Sequence, residues 1–348
     1  MNQFNSLPLV SIVIPVRNEE KYIDGCIQQI LSQSYPHSKI EILVIDGMST
    51  DRTREKLQEW MNRIRAVQAS DDQIALTIIE NSRKIRASGL NLGIKNAKGD
   101  VILRLDARTK IDSTYVNLCI QTLTSSGAQN VGGLQLPIGE TPTQQGIALA
   151  MSHPFGVGNA QFRISKKSGY VDTVYLGCYP KAIFEKVGLF DEDSSIISEE
   201  SDMNQRIHKA GGRVFLNPEI KAYYSPRETL KGLWDLYFRY GGARAGNLLK
   251  HRQLTSWRQA VPPAMLAVLL ISGLLSFISH YSFYVFVTVS TFYILANALS
   301  SASLSLKAKK PRLFFIVFSA FFCMHFGWSS GFYRRLLSRE KTGTYWGN

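Results

Sequence analysis

Short β-branched runs alternate with helical patterns along most of the chain, and long uncharged stretches fill its last part. Residues 9–14 (LVSIVI) are apolar and bounded by Pro15, which predicts a buried strand ending where proline stops the ladder. A helix is expected over residues 20–33 and a second strand of the same kind over 40–45, followed by the loop 46–51 and a helical pattern over 52–65. Residues 77–80 form a weaker third strand, and residues 100–105 a strong fourth that ends at Asp106. Strands alternating with helices at this spacing imply an α/β fold whose mostly parallel sheet is flanked by helices. Ligands of such sheets bind beyond the carboxyl ends of the strands. That rule selects the loops 15–19, 46–51 and 106–108 as one edge where chemistry is expected.

From residue 260 onward the pattern changes. Apolar segments at about 260–279, 281–302 and 313–333 each approach the length of a membrane-spanning helix, roughly 20 residues. Two crossings return the chain to its starting side at Lys307-Ala-Lys-Lys310-Pro-Arg312, as the positive-inside bias prefers. A third would place Arg334, Arg335, Arg339 and Lys341 on the far side, against that bias, so one segment is open to being re-entrant or interfacial. Residues 230–250 mix Trp234, Tyr237, Phe238 and Tyr240 with Lys231, Arg239, Arg244 and Lys250, a composition suited to a helix lying in a membrane interface. These changes divide the chain at 1–228, 229–256 and 257–348.

The net charge of +13 over 348 residues would suit nucleic acid, anionic lipid or a phosphorylated substrate. The basic residues gather near the apolar segments and form no single stripe, which argues against nucleic acid. The first residues, MNQFNSLPLVSIVIP, show no basic region and no small-residue cleavage site, so no secretory signal is expected and the first domain should stay in the cytoplasm. Four scattered cysteines without a CxxC pair argue against zinc and disulfides. His325 in its apolar stretch is expected to pack between helices.

Six motifs occur in a recognisable order: SIVIPVRNEE (11–20), ILVIDGMSTDRT (42–53), ASGLNLGIKNAKGDVILRLDAR (87–108), VDTVYLGCYPKAIFEKVGLFDE (171–192), SEESDMNQRIHKAGGRVFL (198–216) and FRYGGARA (238–245). Together they resemble the family 2 inverting glycosyltransferases of GT-A fold, and within them the membrane-bound bacterial exopolysaccharide glucosyltransferases of the succinoglycan-biosynthesis kind. The resemblance implies that Pro15, Val16, Arg17, Asn18 and Glu19, with Asp46 and Arg86, hold a UDP-sugar. It puts Asp106-Ala107-Arg108 at the DxD-like motif, where Asp106 would ligate a divalent metal, Mn2+ or Mg2+. Arg108 has no lone pair for a metal and is instead a candidate to contact the diphosphate. Asp51 has capping of the following helix as an equal alternative to ligand contact. Gly89, Asn91 and Gly93 would stand next to the nucleotide, although turn formation alone would explain the glycines.

By register with the family's acidic motif, Glu200 is the general base, beside Glu199, and Arg239 stabilises the departing diphosphate. Asp172, Gly177, Cys178, Asp202 and Arg244 fall on the acceptor side. The tryptophan that ends the processive relatives' motif is missing, which favours transfer of a single sugar. The implied activity moves a hexose, glucose by default, onto a polyprenyl-linked saccharide or polysaccharide at the bacterial inner membrane. The chain would be multi-pass and in contact with membrane lipid, with its catalytic domain cytoplasmic and a homo-oligomer left open. Its rival is a catalytically silent membrane scaffold, suggested by the substitutions at Arg108 and Glu200.

Overall fold

The computed structural model describes residues 6–66, 73–192, 199–252 and 257–338, so Arg339 and Lys341 lie outside the described residues. In chain order the strands are β1 (Val10–Val16), β2 (Ile40–Asp46), β3 (Ala75–Glu80), β4 (Val101–Arg104), β5 (Thr109–Ile111), β6 (Asn130–Pro137), β7 (Gly169–Val171), β8 (Tyr175–Pro180) and β9 (Val214–Tyr224). The helices are α1 (Ile23–Leu31), α2 (Thr53–Ala66), α3 (Arg86–Asn96), α4 (Tyr115–Ser126), α5 (Pro142–Met151), α6 (Pro154–Val157), α7 (Gln161–Ile164), α8 (Ile183–Val187), α9 (Glu199–Lys209), α10 (Leu230–His251), α11 (Val261–Leu275), α12 (His280–Lys307) and α13 (Phe314–Leu337).

The expected parallel sheet is present as β3-β2-β1-β4. It continues through β8, β6, β9 and β5, with β7 beside β9, and there the pairing becomes mostly antiparallel. The apolar runs are unbroken because both sheet faces are covered. Ile12, Ile14, Ile42 and Val44 enter one core, and Val13, Leu43, Ile45 and Ile102 enter the other. Strand β1 does not stop before Pro15 as expected but runs through it to Val16. Strand β4 pairs with β1 only as far as Val13, so Pro15 sits where one side of the strand has no ladder and its missing N–H costs nothing.

Gly89 and Gly93 are interior to α3 and form no turn. A Cβ on Gly93 would lie 2.2 Å from Val13 Cγ1, so the glycine lets the helix settle on β1. Asn91 on the same helix donates to the Phe190 carbonyl at 2.8 Å and accepts from the Phe190 N–H at 2.9 Å.

Among the described residues, two helices are long and apolar enough to cross a membrane: α12, and the stretch 311–337 that contains α13. The first expected segment contributes α11, which has 15 residues and spans about 22 Å. The two long helices differ in setting, since 6% of the α12 window is buried and 44% of the α13 window.

Helix α13 lies along the sheet domain. At its start Lys310 donates to Gln145 Oε1 at 2.8 Å, and Val317, Ala320, Phe321 and Met324 pack with Ile147 and Met151 of α5 and Leu233 and Tyr237 of α10. Farther on, a Cβ on Gly331 would stand 1.8 Å from the Phe238 carbonyl oxygen, and one on Gly241 would stand 1.9 Å from that of Trp328. Small residues let two backbones approach this closely. Thr229 caps α10, accepting the Gly232 N–H at 3.0 Å, and near the other end Lys250 pairs with Asp191 at 2.6 Å and Asp202 at 2.7 Å. The helix expected to lie in a membrane interface thus packs on α5 through Leu233 and Tyr237 and is tied to the domain near its other end by Lys250, with α13 alongside.

Replacing Gly331 with valine should force these helices apart and cost about 1–3 kcal/mol. A lowered thermal midpoint of the detergent-solubilised protein is the expected reading; an unchanged midpoint would mean that the backbones are not in contact.

Candidate active site

The carboxyl ends of β1, β2 and β4 bring the three selected loops together. Asn18, in the left-handed region at φ 55°, accepts the Thr50 N–H at 2.8 Å, and its own N–H donates to Ser49 Oγ at 2.9 Å. Asp51 accepts the Thr53 N–H at 3.0 Å and the Glu20 N–H at 3.2 Å, so it organises the start of α2 and ties the loops. Asp46 is 1% exposed and is held by Arg54 and by the Ser49 N–H at 3.1 Å. Across the β1 and β4 loops, Arg108 Nε bonds Glu19 Oε2 at 2.8 Å.

At the centre stands a residue the sequence reading passed over. Strand β4 ends in Arg104, whose side chain is 2% exposed. A guanidinium buried this deeply needs compensating charge. Arg104 Nε lies 3.1 Å from Asp106 Oδ1, while Nη1 lies 2.8 Å from Glu200 Oε1 and 3.5 Å from Glu199 Oε1. Arg86 Nη1 is 3.6 Å from Glu199. The two glutamates open α9, where the helix dipole also favours negative charge.

These surroundings separate the acids. Burial works against charge on Asp106, but Arg104, Arg86 and Arg108 outweigh it and hold the carboxyl below its ordinary range. Burial pushes the Glu200 carboxyl up to about 7; Arg104 restrains it, and Glu199 and Asp106 add to the push. A carboxylate that titrates near neutrality can exchange protons at working pH.

The acids face a cleft of about 1070 Å³ that reaches from the sheet edge to the apolar helices. Among the residues expected at a site, Pro15, Glu19, Arg86, Asp106, Arg108, Asp172, Glu200, Arg239 and Arg244 line it. Arg244 donates to Ser201 Oγ at 2.8 Å, and burial lowers its pKa to about 10 against the opposing charge of Asp172. Glu199 is buried behind Glu200. Val16 and Asp46, which end β1 and β2, and Arg17 and Asn18, which follow β1, are not in the cleft wall.

Three residues expected on the acceptor side lie outside the cleft wall. Gly177 and Cys178 are interior to β8, with Cys178 fully buried in a strand paired on both sides, and so do not reach the cleft. Asp202 is two residues beyond Glu200, about 200° around the helix, and is fully buried against Arg206 at 2.9 Å and Lys250. The wall contains further residues the sequence reading missed, including Gln135, Arg163 and Arg227.

A divalent ion requires oxygen donors. Asp106 supplies a carboxylate at the strand end, Arg108 supplies no lone pair, and no group of three or more His, Cys, Asp or Glu that could share an ion occurs among the described residues. This set fits an ion held by Asp106 together with the oxygens of a bound diphosphate, an arrangement Mg2+ commonly adopts, and does not fit an all-protein cage.

The family model described as glycosyl transferase family 2 matches residues 11–187, and that of glycosyl transferase family group 2 matches residues 101–329. A Methanococcus voltae protein named dolichyl N-acetyl-alpha-D-glucosaminyl phosphate 3-beta-D-2,3-diacetamido-2,3-dideoxy-beta-D-glucuronosyltransferase is 29% identical over 96% of this chain and 98% of its own length. The succinoglycan biosynthesis protein ExoA of Rhizobium meliloti is 28% identical over 94% of each chain. In fold, the chain matches the mannosyltransferase PcManGT from Pyrobaculum calidifontis, solved with GDP-Man and Mn2+. The TM-score is 0.61 at 17% identity, covering 97% of this chain and 89% of that one. With a family model covering half of its length and a mixed sheet of GT-A fold, the chain belongs to glycosyl transferase family 2, the glycosyltransferases of polysaccharide and glycan biosynthesis.

Proposed function

We propose that the protein is an inverting, membrane-attached transferase that moves a hexose from a UDP-sugar to a polyprenyl-linked saccharide. The observation carrying this reading is the single buried guanidinium of Arg104, which links the diphosphate-side acid Asp106 to the candidate base Glu200 across one cleft. Support for the acceptor comes from the Methanococcus voltae relative, whose name specifies a dolichyl phosphate-linked sugar. On the same fold, TarS of Staphylococcus aureus holds UDP-GlcNAc, while PcManGT holds GDP-Man; UDP is preferred here on the resemblance of the loops 11–20 and 42–53.

The reaction is a single displacement. Ionised Glu200 accepts the proton of an acceptor hydroxyl, whose oxygen bonds to the anomeric carbon from the face opposite the UDP. The bond from that carbon to the phosphate oxygen breaks, and configuration inverts. UDP leaves with the bonding electrons, and Glu200 later releases its proton to water. Arg108 and Arg239 face the leaving diphosphate, and fixed cations of this kind contribute several kcal/mol in a dry site. An ion held by Asp106 would add positive charge there.

Membrane attachment is assigned to the α11–α12 hairpin. Its tip is bare and apolar, with Leu274 71%, Phe277 91%, Ile278 85% and Tyr281 86% exposed. With α13 lying on the domain, both Lys307–Arg312 and the pair Arg334 and Arg335 stay on the catalytic side, which satisfies the charge bias that three crossings violate. Residues 1–228 then form the catalytic domain, 229–256 a surface-helix region, and 257–348 the membrane part with its returning helix. The cytoplasmic face of a bacterial inner membrane suits this arrangement.

Glu200→Gln should reduce transfer by about three orders of magnitude or more, within the range for loss of a general base, while UDP affinity measured by calorimetry stays within about twofold. Retained turnover would remove Glu200 from the role. Since the reaction needs the carboxylate, kcat/KM should rise with pH up to about 7 and fall about tenfold per unit below it. Arg104→Gln removes the restraining positive charge, so its acid limb should move to higher pH; a limb near the ordinary carboxylate value of 4.5 in the parent would contradict the assignment. Phe277→Asp with Ile278→Asp should shift the protein from the membrane pellet to the soluble fraction, whereas unaltered partitioning would place the anchor elsewhere.

A further inference from the structure

One buried polar group in the cleft wall has no part in the displacement. Gln135 of β6 is 6% exposed and lines the cleft, and its side-chain oxygen Oε1 has no hydrogen-bond partner among the described residues. Buried amides are nearly always bonded, because an unmade hydrogen bond leaves the whole desolvation cost standing. An unbonded one in a cleft wall points to a ligand group that completes it.

The sheet sets its aim. Gly133, two residues earlier on β6, pairs with Tyr175 of β8, while Gln135 pairs with Ala222 and Pro137 with Tyr224 of β9, and Tyr224 pairs in turn with Thr109 of β5. Side chains two apart on a strand, or directly paired across strands, share a sheet face. Tyr175, Gln135, Tyr224 and Thr109 thus stand on one face, and all four line the cleft. The pairing of β6 with β9 slips between Gly132 and Leu134, where the Ile220 carbonyl leaves no room for a Cβ on Gly133. Irregularities of this kind re-aim side chains beside active sites. The hydroxyls of Thr109 and Tyr175 lie 3.0 Å apart and satisfy each other, which leaves the Gln135 amide open to a substrate.

Its place selects the donor sugar. The strand order β4-β8-β6 puts Gln135 two strands, about 10 Å, beyond the strand whose end carries Asp106. The loops expected to hold the nucleotide lie on the other side of β4, at the ends of β1 and β2. A UDP-hexose with its diphosphate at Asp106 therefore carries its ring onward over β8 toward β6. We infer that Gln135 determines donor specificity by hydrogen-bonding a hydroxyl on the C3–C4 edge of the hexose, across the ring from the reacting carbon. This assignment rests on the transferase reading and gives its donor a specific sugar contact. An amide both donates and accepts, so it can bond a hydroxyl in either sense. A sugar lacking that hydroxyl is rejected because the buried amide is then left unpaired.

The test measures, by calorimetry on the full chain in detergent, the affinities for UDP, UDP-glucose and the 3-deoxy and 4-deoxy analogues of UDP-glucose. In the parent, one of the two analogues should bind at least about tenfold more weakly than UDP-glucose, the scale of one unmade buried hydrogen bond. Gln135→Leu should weaken UDP-glucose by about tenfold, leave that analogue within about twofold, and leave UDP unchanged, which also shows that the variant folds. Gln135→Met is a second variant with the same expected pattern. Equal weakening of UDP-glucose and both analogues, unchanged UDP-glucose affinity in the variants, or a parent that binds UDP but does not distinguish the deoxy analogues would each overturn the inference and leave the transferase reading standing. A contact to the acceptor, or to water alone, gives the second of these results. Protein that binds neither UDP nor UDP-glucose overturns the inference together with that reading.

Discussion

A guanidinium excluded from water must be surrounded by negative charge, and Arg104 meets this requirement by drawing in acids from two distant parts of the chain. Asp106 follows it by two residues, whereas Glu199 and Glu200 arrive on α9 after the long excursion through β5 to β8. Removing one member would leave uncompensated charge in a dry place, so the group stands or falls as a unit. The same contact that neutralises the arginine keeps Glu200 beside the end of β4. Folding energetics and candidate chemistry thus depend on one side chain.

That dependence explains why the carboxylates differ. Asp106 feels the positive charge of Arg104, Arg86 and Arg108 and is held ionised, whereas burial pushes Glu200 toward neutrality and Glu199 and Asp106 add to the push. Two acids paired with the same guanidinium are kept in different protonation regimes by their surroundings, the kind of separation that acid–base chemistry uses.

Much of the first half was legible because its signals are local. The unbroken β-branched runs of β1, β2 and β4 could only be strands covered on both faces, and the loops at their ends followed from the rule for parallel sheets. What escaped required distance information. Arg104 was legible only as an odd charge at the end of an apolar strand, since two of its three acidic partners lie 95 and 96 positions away in sequence. Gly177 and Cys178 sat in a convincing motif, yet the pairing of β8 with β4 and β6 buries them. Asp202 lay in the acidic run, but its phase on α9 turns it toward Lys250. Hydropathy likewise could not separate α12 from α13, because both are long and apolar and only tertiary contacts show which one is covered by protein.

The covering of α13 has a consequence for biosynthesis. This helix occupies the apolar face made by Ile147, Met151, Leu233 and Tyr237, and it is the last helix described in the chain. During synthesis that face stays uncovered until the hairpin between it and α10 has already left the ribosome. The nascent protein therefore presents two greasy surfaces at once, the bare hairpin and the face that its own final helix later covers. Co-translational delivery to a bilayer would shelter both during that interval, and release of the finished polypeptide into water would expose them to aggregation.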